Sequence, residues 1–189
     1  MRTHSALGFD HVVGFLKPDD VATVIEQVRA IARAAPFRTP TMPNGAPLAL
    51  KVTSAGACGW WADSRGYRYV DKHPTEGTPW PAIPTPLLSL FNRALVQVAN
   101  AWFEPDTLLV NHYGEHGALG MHVDRTEDND LPIVSMSIGA DALFLIGDEQ
   151  SKSIRGKIVL ASGDLLVQHG RGRRAYHGIA KLLPTIARL

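Results

Sequence analysis

One imidazole and one carboxylate stand a single residue apart in His122-Val-Asp124, at the end of a segment that begins at Asn111. If this segment is an extended strand, the two side chains point to the same face and reach one pocket. A second histidine from elsewhere would complete a set of two imidazoles and one carboxylate, which leaves coordination positions open and suits non-haem Fe(II). The pair alone is weak evidence, because a polar turn at the rim of a sheet has the same composition.

Composition narrows the class of protein. The chain has 189 residues, enough for one domain with a full hydrophobic core. Its formal net charge is +1, so any basic surface that meets nucleic acid must be local. The single cysteine, Cys58, excludes an intramolecular disulfide and fits a cytoplasmic setting. Because no apolar run reaches membrane length, we expect no membrane partner. We also expect the protein to be a monomer.

The first half of the chain contains two helical patterns. Residues 9–15 predict a short strand, and the apolar spacing that follows predicts an amphipathic helix over about 19–34. A second helix is predicted from Thr85 to about Trp102. Between the helices, residues 37–80 are rich in glycine, proline and aromatic residues, with two short strands at most, over residues 48–54 and 67–70. A connection of this length is either functional or disordered, and its aromatic and basic residues favour a function.

From about residue 105 the pattern changes to short strands separated by turns. Those predicted after the His-x-Asp motif cover residues 132–138, 142–146, 153–160, 164–168 and 174–180. Such regular short strands indicate a two-sheet sandwich or jelly roll, with the helices packed outside one sheet. We therefore predict an α+β, mainly β chain that forms a single domain over residues 1–189.

Two histidines follow the motif and compete for the role of third ligand. His169 lies in a turn-like basic segment, whereas His177 lies inside a strand-like run. A metal ligand is better placed on a rigid element, so this argument favours His177.

Taken together, a series of motifs resembles the bacterial AlkB-type nucleic-acid dealkylases, which are Fe(II)- and 2-oxoglutarate-dependent dioxygenases. The matching segments are Asn111-x-Tyr113, His122-x-Asp124, 132–139, Ser162-Gly-Asp164 and 176–179, with 35–38, Cys58-Gly-Trp60, Gly66-Tyr67 and 80–84 upstream. The resemblance covers about residues 9–189. It implies a double-stranded β-helix core over about residues 105–189, and a nucleotide-recognition lid over about 37–80.

The resemblance also assigns roles to individual residues. The implied iron ligands are His122, Asp124 and His177. The implied contacts to 2-oxoglutarate are Asn111, Tyr113, Leu119 and Arg188. In the lid, Trp60 resembles an aromatic residue near the substrate base and Tyr67 a tyrosine near substrate phosphate. We expect further phosphate contacts from a basic cluster over residues 171–174, Arg173 among them.

The end of the sequence departs from the family pattern. Arg188 matches the first arginine of Arg-x-Asn-x-x-x-Arg, but the asparagine and the second arginine are absent because the sequence stops at Leu189. A core cut short there would leave strand backbone unpaired and would give an anionic cosubstrate one cation instead of two. We expect a missing C-terminal tail rather than a truncated, weakly active enzyme.

The implied reaction consumes O₂ and 2-oxoglutarate and removes an N-methyl group from an alkylated base in DNA or RNA, of the 1-methyladenine or 3-methylcytosine type. Formaldehyde, succinate and CO₂ are the products. A base flipped out of the stack would pack on Trp60 and Tyr67, although Trp60 or Trp61 could instead form the core of the lid. Two alternatives are a related oxygenase acting on a protein or small molecule, and a nucleic-acid-binding module without catalysis.

Overall fold

Short antiparallel strands make up most of the protein. The computed structural model describes residues 2–99, 102–127 and 129–184. In chain order its strands are β1 (Arg2–Ala6), β2 (Phe9–Val13), β3 (Lys51–Gly56), β4 (Gly59–Asp63), β5 (Gly66–Val70), β6 (Thr107–His112), β7 (Leu119–His122), β8 (Ile133–Met136), β9 (Ala142–Ile146), β10 (Gly156–Leu160), β11 (Leu165–Gln168) and β12 (His177–Leu182). The α-helices are α1 (Pro18–Ala34) and α2 (Thr85–Ala94).

Two four-stranded sheets carry the core of the described residues. The first has the strand order β1-β2-β11-β8, and the second has the order β10-β9-β12-β7. Strands far apart in the sequence therefore lie side by side, since β11 pairs with β2 and β12 pairs with β7. The mainly β class predicted from the sequence is confirmed.

The core divides between the two faces of the first sheet. On one face, Phe9 and Leu166 pack against Phe144 and Ile146 of the second sheet. On the other face, alternate strand residues pack against the helices, in a cluster that contains Leu165, Val167, Val12, Val24, Ile31, Leu87 and Leu90. The alternation follows from the two-residue period of a strand, which sends neighbouring side chains to opposite faces.

Both predicted helices form, and one ion pair joins them. The carboxylate of Asp20 accepts a hydrogen bond from the Lys17 amide at 3.0 Å, which satisfies one of the free amides at the start of α1. The same carboxylate pairs with Arg93 of α2 at 2.6 Å. The prediction that the second helix continues to Trp102 is wrong, because α2 widens into a π-helical turn over Leu95–Ala99 and Trp102 lies outside it.

A β-hairpin formed by β4 and β5 (Gly59–Val70, hereafter the hairpin) lies within the region predicted as a long connection. The sequence predicted β5 but not β4. Along β4 the side chains alternate, so that Trp61 is 7% exposed in a cluster with Ala35 and Trp80, whereas Trp60 is half-buried on the opposite face. Arg38 caps the buried side, with its guanidinium carbon 3.4 Å from the centre of the Trp61 ring. Trp61 is therefore the core residue of the pair.

Among the described residues, no helix is long and apolar enough to cross a membrane.

The sandwich core makes one prediction about stability. Leu166 is 1% exposed between the sheets, so Leu166→Ala should lower the free energy of unfolding by about 2–5 kcal/mol through lost burial and a residual cavity. The matched control is Val159→Ala, because Val159 is a strand residue that is 43% exposed and should cost no more than about 0.5 kcal/mol. Urea denaturation measures both, and equal losses would contradict this description of the core.

Candidate metal centre and its surroundings

Three side chains predicted as ligands converge at one end of the second sheet. The ligand atoms of His122, Asp124 and His177 all lie within 4.8 Å of one another. The Asp124 carboxylate lies between the two imidazoles, 3.5 Å from Nε2 of His122 and 3.4 Å from Nε2 of His177. The structure brings His177, rather than His169, to this cluster. His169 instead contacts Asp10 at 2.9 Å.

The pairing of β7 with β12 creates this convergence. His122 and His177 are direct partners in the ladder, and the register then shifts so that Leu119 faces Ile179. Two residues of β7 therefore oppose one residue of β12, which is a β-bulge. Because of the bulge, His122 and Leu119 lie opposite His177 and Ile179, whose side chains point to the same face of β12. The third predicted ligand, His177, comes from the neighbouring strand of the same sheet, and Asp124 lies just beyond the end of β7.

Both imidazoles are anchored through the nitrogen that points away from the cluster. Nδ1 of His122 is 2.9 Å from the Gly120 carbonyl oxygen, and Nδ1 of His177 is 3.1 Å from the Ala175 carbonyl oxygen. A carbonyl only accepts, so Nδ1 must carry the proton, and Nε2 of the neutral ring keeps its lone pair for a cation. Two such nitrogens and one carboxylate form the donor set that suits Fe(II).

Asp124 and His122 each favour the charged form of the other. Burial acts to raise the pKa of Asp124, but hydrogen bonds and charge from His122 and His177, whose Nε2 donates in the protonated ring when no cation is bound, outweigh it and hold that pKa well below its ordinary value. Burial also acts to lower the pKa of His122, yet the hydrogen bond and charge of Asp124 outweigh it and raise that pKa. Asp124 is therefore an anion at neutral pH, as a cation site requires.

The predicted cosubstrate residues lie on two elements. Asn111 is exposed near the end of β6, and Tyr113 follows that strand. Burial and the nearby charge of Asp124 raise the pKa of Tyr113 to about 12, so its hydroxyl stays protonated and can donate to an anion. Leu119 begins β7 and is half-buried. Arg188 lies outside the described residues, so its predicted role stays a prediction.

The hairpin has an aromatic face that contacts the loop after Asp124. Trp60 and Tyr67 stack with ring centres 5.8 Å apart and planes 13° from parallel, and Tyr67 is 45% exposed. Tyr69 is the direct strand partner of Trp60, so the two side chains share that face. The Tyr69 hydroxyl donates a 2.8 Å hydrogen bond to Glu127, which follows the ligand Asp124 in the chain. The aromatic face therefore lies beside the loop that carries Asp124.

The predicted phosphate role of Arg173 is wrong in this geometry. Arg173 is 2% exposed, and its guanidinium donates to backbone carbonyls of the loop that follows Asp124. Arg174 pairs with Asp130 at 2.7 Å and also donates to the carbonyl of Asp124. Buried donors that are already bonded do not reach a phosphate in solvent. Arg171 is the exposed arginine of the predicted cluster.

Two residues of the site were not identified from the sequence as parts of it. These are Tyr69, in the hairpin, and Glu127, in the loop that follows Asp124. Only the fold shows that they meet. The alternation of Tyr67 and Tyr69 along a short strand is the signal that would have placed both rings on one face.

The bulge makes a prediction about metal affinity. A Cβ on Gly178 would lie 2.5 Å from the Leu119 carbonyl oxygen, so Gly178→Ala should force β12 away from β7 and separate the ligands. We expect Co(II) affinity, measured by absorption titration, to fall about ten- to a hundredfold, as when other supports of metal ligands are removed. Gly120→Ala is the control, because a Cβ on Gly120 meets nothing within 4 Å. If both variants bound Co(II) alike, the bulge would not set the ligand geometry.

Comparisons with known proteins agree with this site. The model of the 2OG-Fe(II) oxygenase superfamily matches residues 8–189. The alpha-ketoglutarate-dependent dioxygenase AlkB homolog of Caulobacter vibrioides is 39% identical over 178 residues, which cover 94% of this chain and 79% of that protein. Alpha-ketoglutarate-dependent dioxygenase AlkB of Escherichia coli K12 is 34% identical over 84% of this chain and 74% of its own length. A more distant relative is named DNA N(6)-methyladenine demethylase ALKBH1D of Arabidopsis thaliana.

Solved structures give the same fold. The structure of OsALKBH1 superposes with a TM-score of 0.85 at 30% identity, covering 96% of this chain and 88% of that one. A prolyl hydroxylase from Trichoplax adhaerens superposes with a TM-score of 0.53 at 14% identity, covering 93% of this chain and 78% of that one, which is a likeness of fold alone. The chain therefore belongs to the 2OG-Fe(II) oxygenase superfamily, as an AlkB-type dioxygenase that depends on Fe(II), 2-oxoglutarate and O₂.

Proposed function

We propose that the chain oxidatively demethylates N-alkylated bases in DNA or RNA, of the 1-methyladenine or 3-methylcytosine type. The observation that carries the proposal is the contact between Tyr69 and Glu127, because it sets the aromatic face of the hairpin beside the loop of Asp124. Every nucleobase has a flat π-face, and stacking on an aromatic ring offsets the cost of leaving the helix. Relatives named as demethylases of DNA and of tRNA support the same substrate class.

The three converging side chains are the proposed iron ligands. His122 and His177 would each present Nε2, and Asp124 would present one carboxylate oxygen. When bound, iron with 2-oxoglutarate and O₂ supplies the oxidation of the methyl group, which leaves as formaldehyde while 2-oxoglutarate becomes succinate and CO₂. The protein contributes the placement of that methyl group, because the iron chemistry itself does not choose a substrate.

The proposed cosubstrate contacts are Asn111, Tyr113, Leu119 and Arg188. Tyr113 suits a carboxylate because its hydroxyl remains a donor at neutral pH, and Leu119 offers an apolar contact. An arginine forms the strongest pair with a carboxylate through two parallel hydrogen bonds, so Arg188 is the proposed partner of the distal carboxylate.

Several finer features complete the proposal. The two sheets form a double-stranded β-helix, with α1 and α2 outside it and the hairpin as the main part of a recognition lid over about residues 37–80. Residues 1–189 form a single dioxygenase domain, which acts as a monomer in the cytoplasm. In the lid, Trp60 contacts the substrate base and Tyr67 lies near its phosphate.

Substitutions in the hairpin can test stacking on the substrate base separately from the stability of the fold. Trp60→Ala should weaken productive binding of a methylated oligonucleotide by roughly five- to a hundredfold, since stacking contributes about 1–3 kcal/mol per base. Turnover of 2-oxoglutarate without nucleic acid should persist in this variant, because that reaction does not use the hairpin face. Steady-state formaldehyde release against oligonucleotide concentration measures the first effect, and succinate formation measures the second.

The neighbouring tryptophan provides the control for this test. Trp61→Ala removes a buried ring and should lower the free energy of unfolding by about 3–5 kcal/mol. If Trp60→Ala instead destabilised the protein to that extent and left demethylation unchanged, Trp60 would be a core residue. The nucleobase assignment would then lose its support, and an oxygenase acting on a protein or small molecule would become the better description.

A further inference from the structure

Arg173 has a buried charge that the iron chemistry does not need. Its side chain is 2% exposed, and it lies on the 3₁₀ turn Gly170–Arg174 that leads into β12. A buried guanidinium is costly unless its donors are bonded and its charge is balanced. The hydrogen-bond partners of Arg173 therefore show which segment of the structure it stabilises.

Among the described residues, the hydrogen bonds from the Arg173 side chain go to one loop. This loop, called the Asp124 loop, covers residues 124–131, of which residue 128 is outside the described part of the chain. Nη1 of Arg173 donates to the carbonyl of Asp124 at 3.2 Å, and Nε donates to the carbonyl of Leu131 at 2.8 Å. Arg174 donates to the same Asp124 carbonyl at 2.9 Å. The turn before His177 thus holds the backbone of the ligand Asp124.

Glu127 balances the charge of Arg173 and also extends the contact to the hairpin. One carboxylate oxygen of Glu127 lies 3.4 Å from Nη2 of Arg173, and the other accepts the Tyr69 hydroxyl at 2.8 Å. Burial, together with the charge and hydrogen bond of Glu127, raises the pKa of Tyr69 well above its ordinary value. The hydroxyl therefore stays protonated and donates throughout the neutral range.

We propose that Glu127 is a positioning residue that couples the hairpin to the metal ligand Asp124. The chain of contacts runs from Tyr69 through Glu127 and Arg173 to the backbone of Asp124. When the hairpin is seated, Glu127 holds Arg173 in place, and Arg173 fixes the backbone of Asp124, from which the carboxylate reaches the metal site. Coupling of this kind is reciprocal. If the seated hairpin favours metal binding, metal binding also stabilises the seated position of the hairpin.

The coupling deepens the proposed function without depending on its substrate. It rests on that function only in treating the hairpin as the surface that meets the base. If the enzyme acted on another substrate, the contacts between hairpin, Glu127 and Asp124 would be unchanged. A test without nucleic acid therefore distinguishes failure of the coupling from failure of the substrate assignment.

The test uses Co(II) with 2-oxoglutarate, followed by the absorption of bound Co(II). Tyr69→Phe removes one hydroxyl and keeps the ring, and Glu127→Gln keeps the shape and removes the charge. Each should weaken Co(II) affinity about five- to tenfold, at the lower end of typical coupling between sites. The double variant should bind little more weakly than Glu127→Gln alone, because both changes break the same chain of contacts. Unchanged Co(II) affinity in Tyr69→Phe would overturn the proposal, and this variant is the one least expected to disturb folding.

Hydrogen exchange of residues 59–70 gives a second readout. In the wild-type protein, Co(II) and 2-oxoglutarate should increase amide protection across the hairpin, and in Tyr69→Phe that increase should disappear. An increase of the same size in both proteins would overturn the coupling.

The control variant loosens the hairpin without touching Glu127. Asp63 accepts two hydrogen bonds from Arg68, at 2.9 and 2.8 Å, and one each from the Trp61 indole and the Arg65 amide, all within the hairpin. Asp63→Asn should therefore destabilise the hairpin and leave Co(II) affinity within about twofold of the wild type. If it weakened Co(II) binding as much as Tyr69→Phe did, general loosening would explain both, and the proposed coupling would be wrong.

Discussion

The pairing of β7 with β12 is the constraint on which the site depends. The proposed ligands from two distant parts of the chain become neighbours because His122 and His177 are direct partners in one ladder. A shift of one residue would turn every side chain of a strand to the opposite face and would destroy the cluster. The bulge beside this pair, with Gly178 in close contact with the β7 backbone, fixes the register. The sandwich core supports the arrangement, since Phe144 stacks on His177 at 5.8 Å.

The second requirement is that Asp124 be held outside a strand. It lies beyond the end of β7, so the ladder does not fix its backbone. Arg173 and Arg174 perform that task by donating to its carbonyl, and Glu127 balances the buried charge of Arg173 while accepting the Tyr69 hydroxyl. The metal centre and the hairpin are thus parts of one bonded network, which explains why Arg173 is buried although it lies in a basic turn that looks exposed in the sequence.

Local patterns predicted the parts of the structure that depend on local chemistry. The spacing of His122 and Asp124, the rigid setting of His177 and the apolar stripe of α1 were all visible in the sequence. Strand β4 was missed because its glycine and paired tryptophans carry no clear two-residue period. The burial of Arg173 could not be foreseen, because its partners are backbone carbonyls of a distant loop, which have no signature in a sequence.

The most direct test of the account measures both products of one reaction. Wild-type protein with Fe(II), 2-oxoglutarate and O₂ is given an oligonucleotide that contains 1-methyladenine or 3-methylcytosine, and the same oligonucleotide without the methyl group. The account predicts formaldehyde with the methylated substrate, in an amount equal to the succinate formed beyond that found with the unmethylated oligonucleotide, and no formaldehyde without the methyl group. Succinate formation that ignored the oligonucleotide, with no formaldehyde from either, would contradict nucleic-acid demethylation.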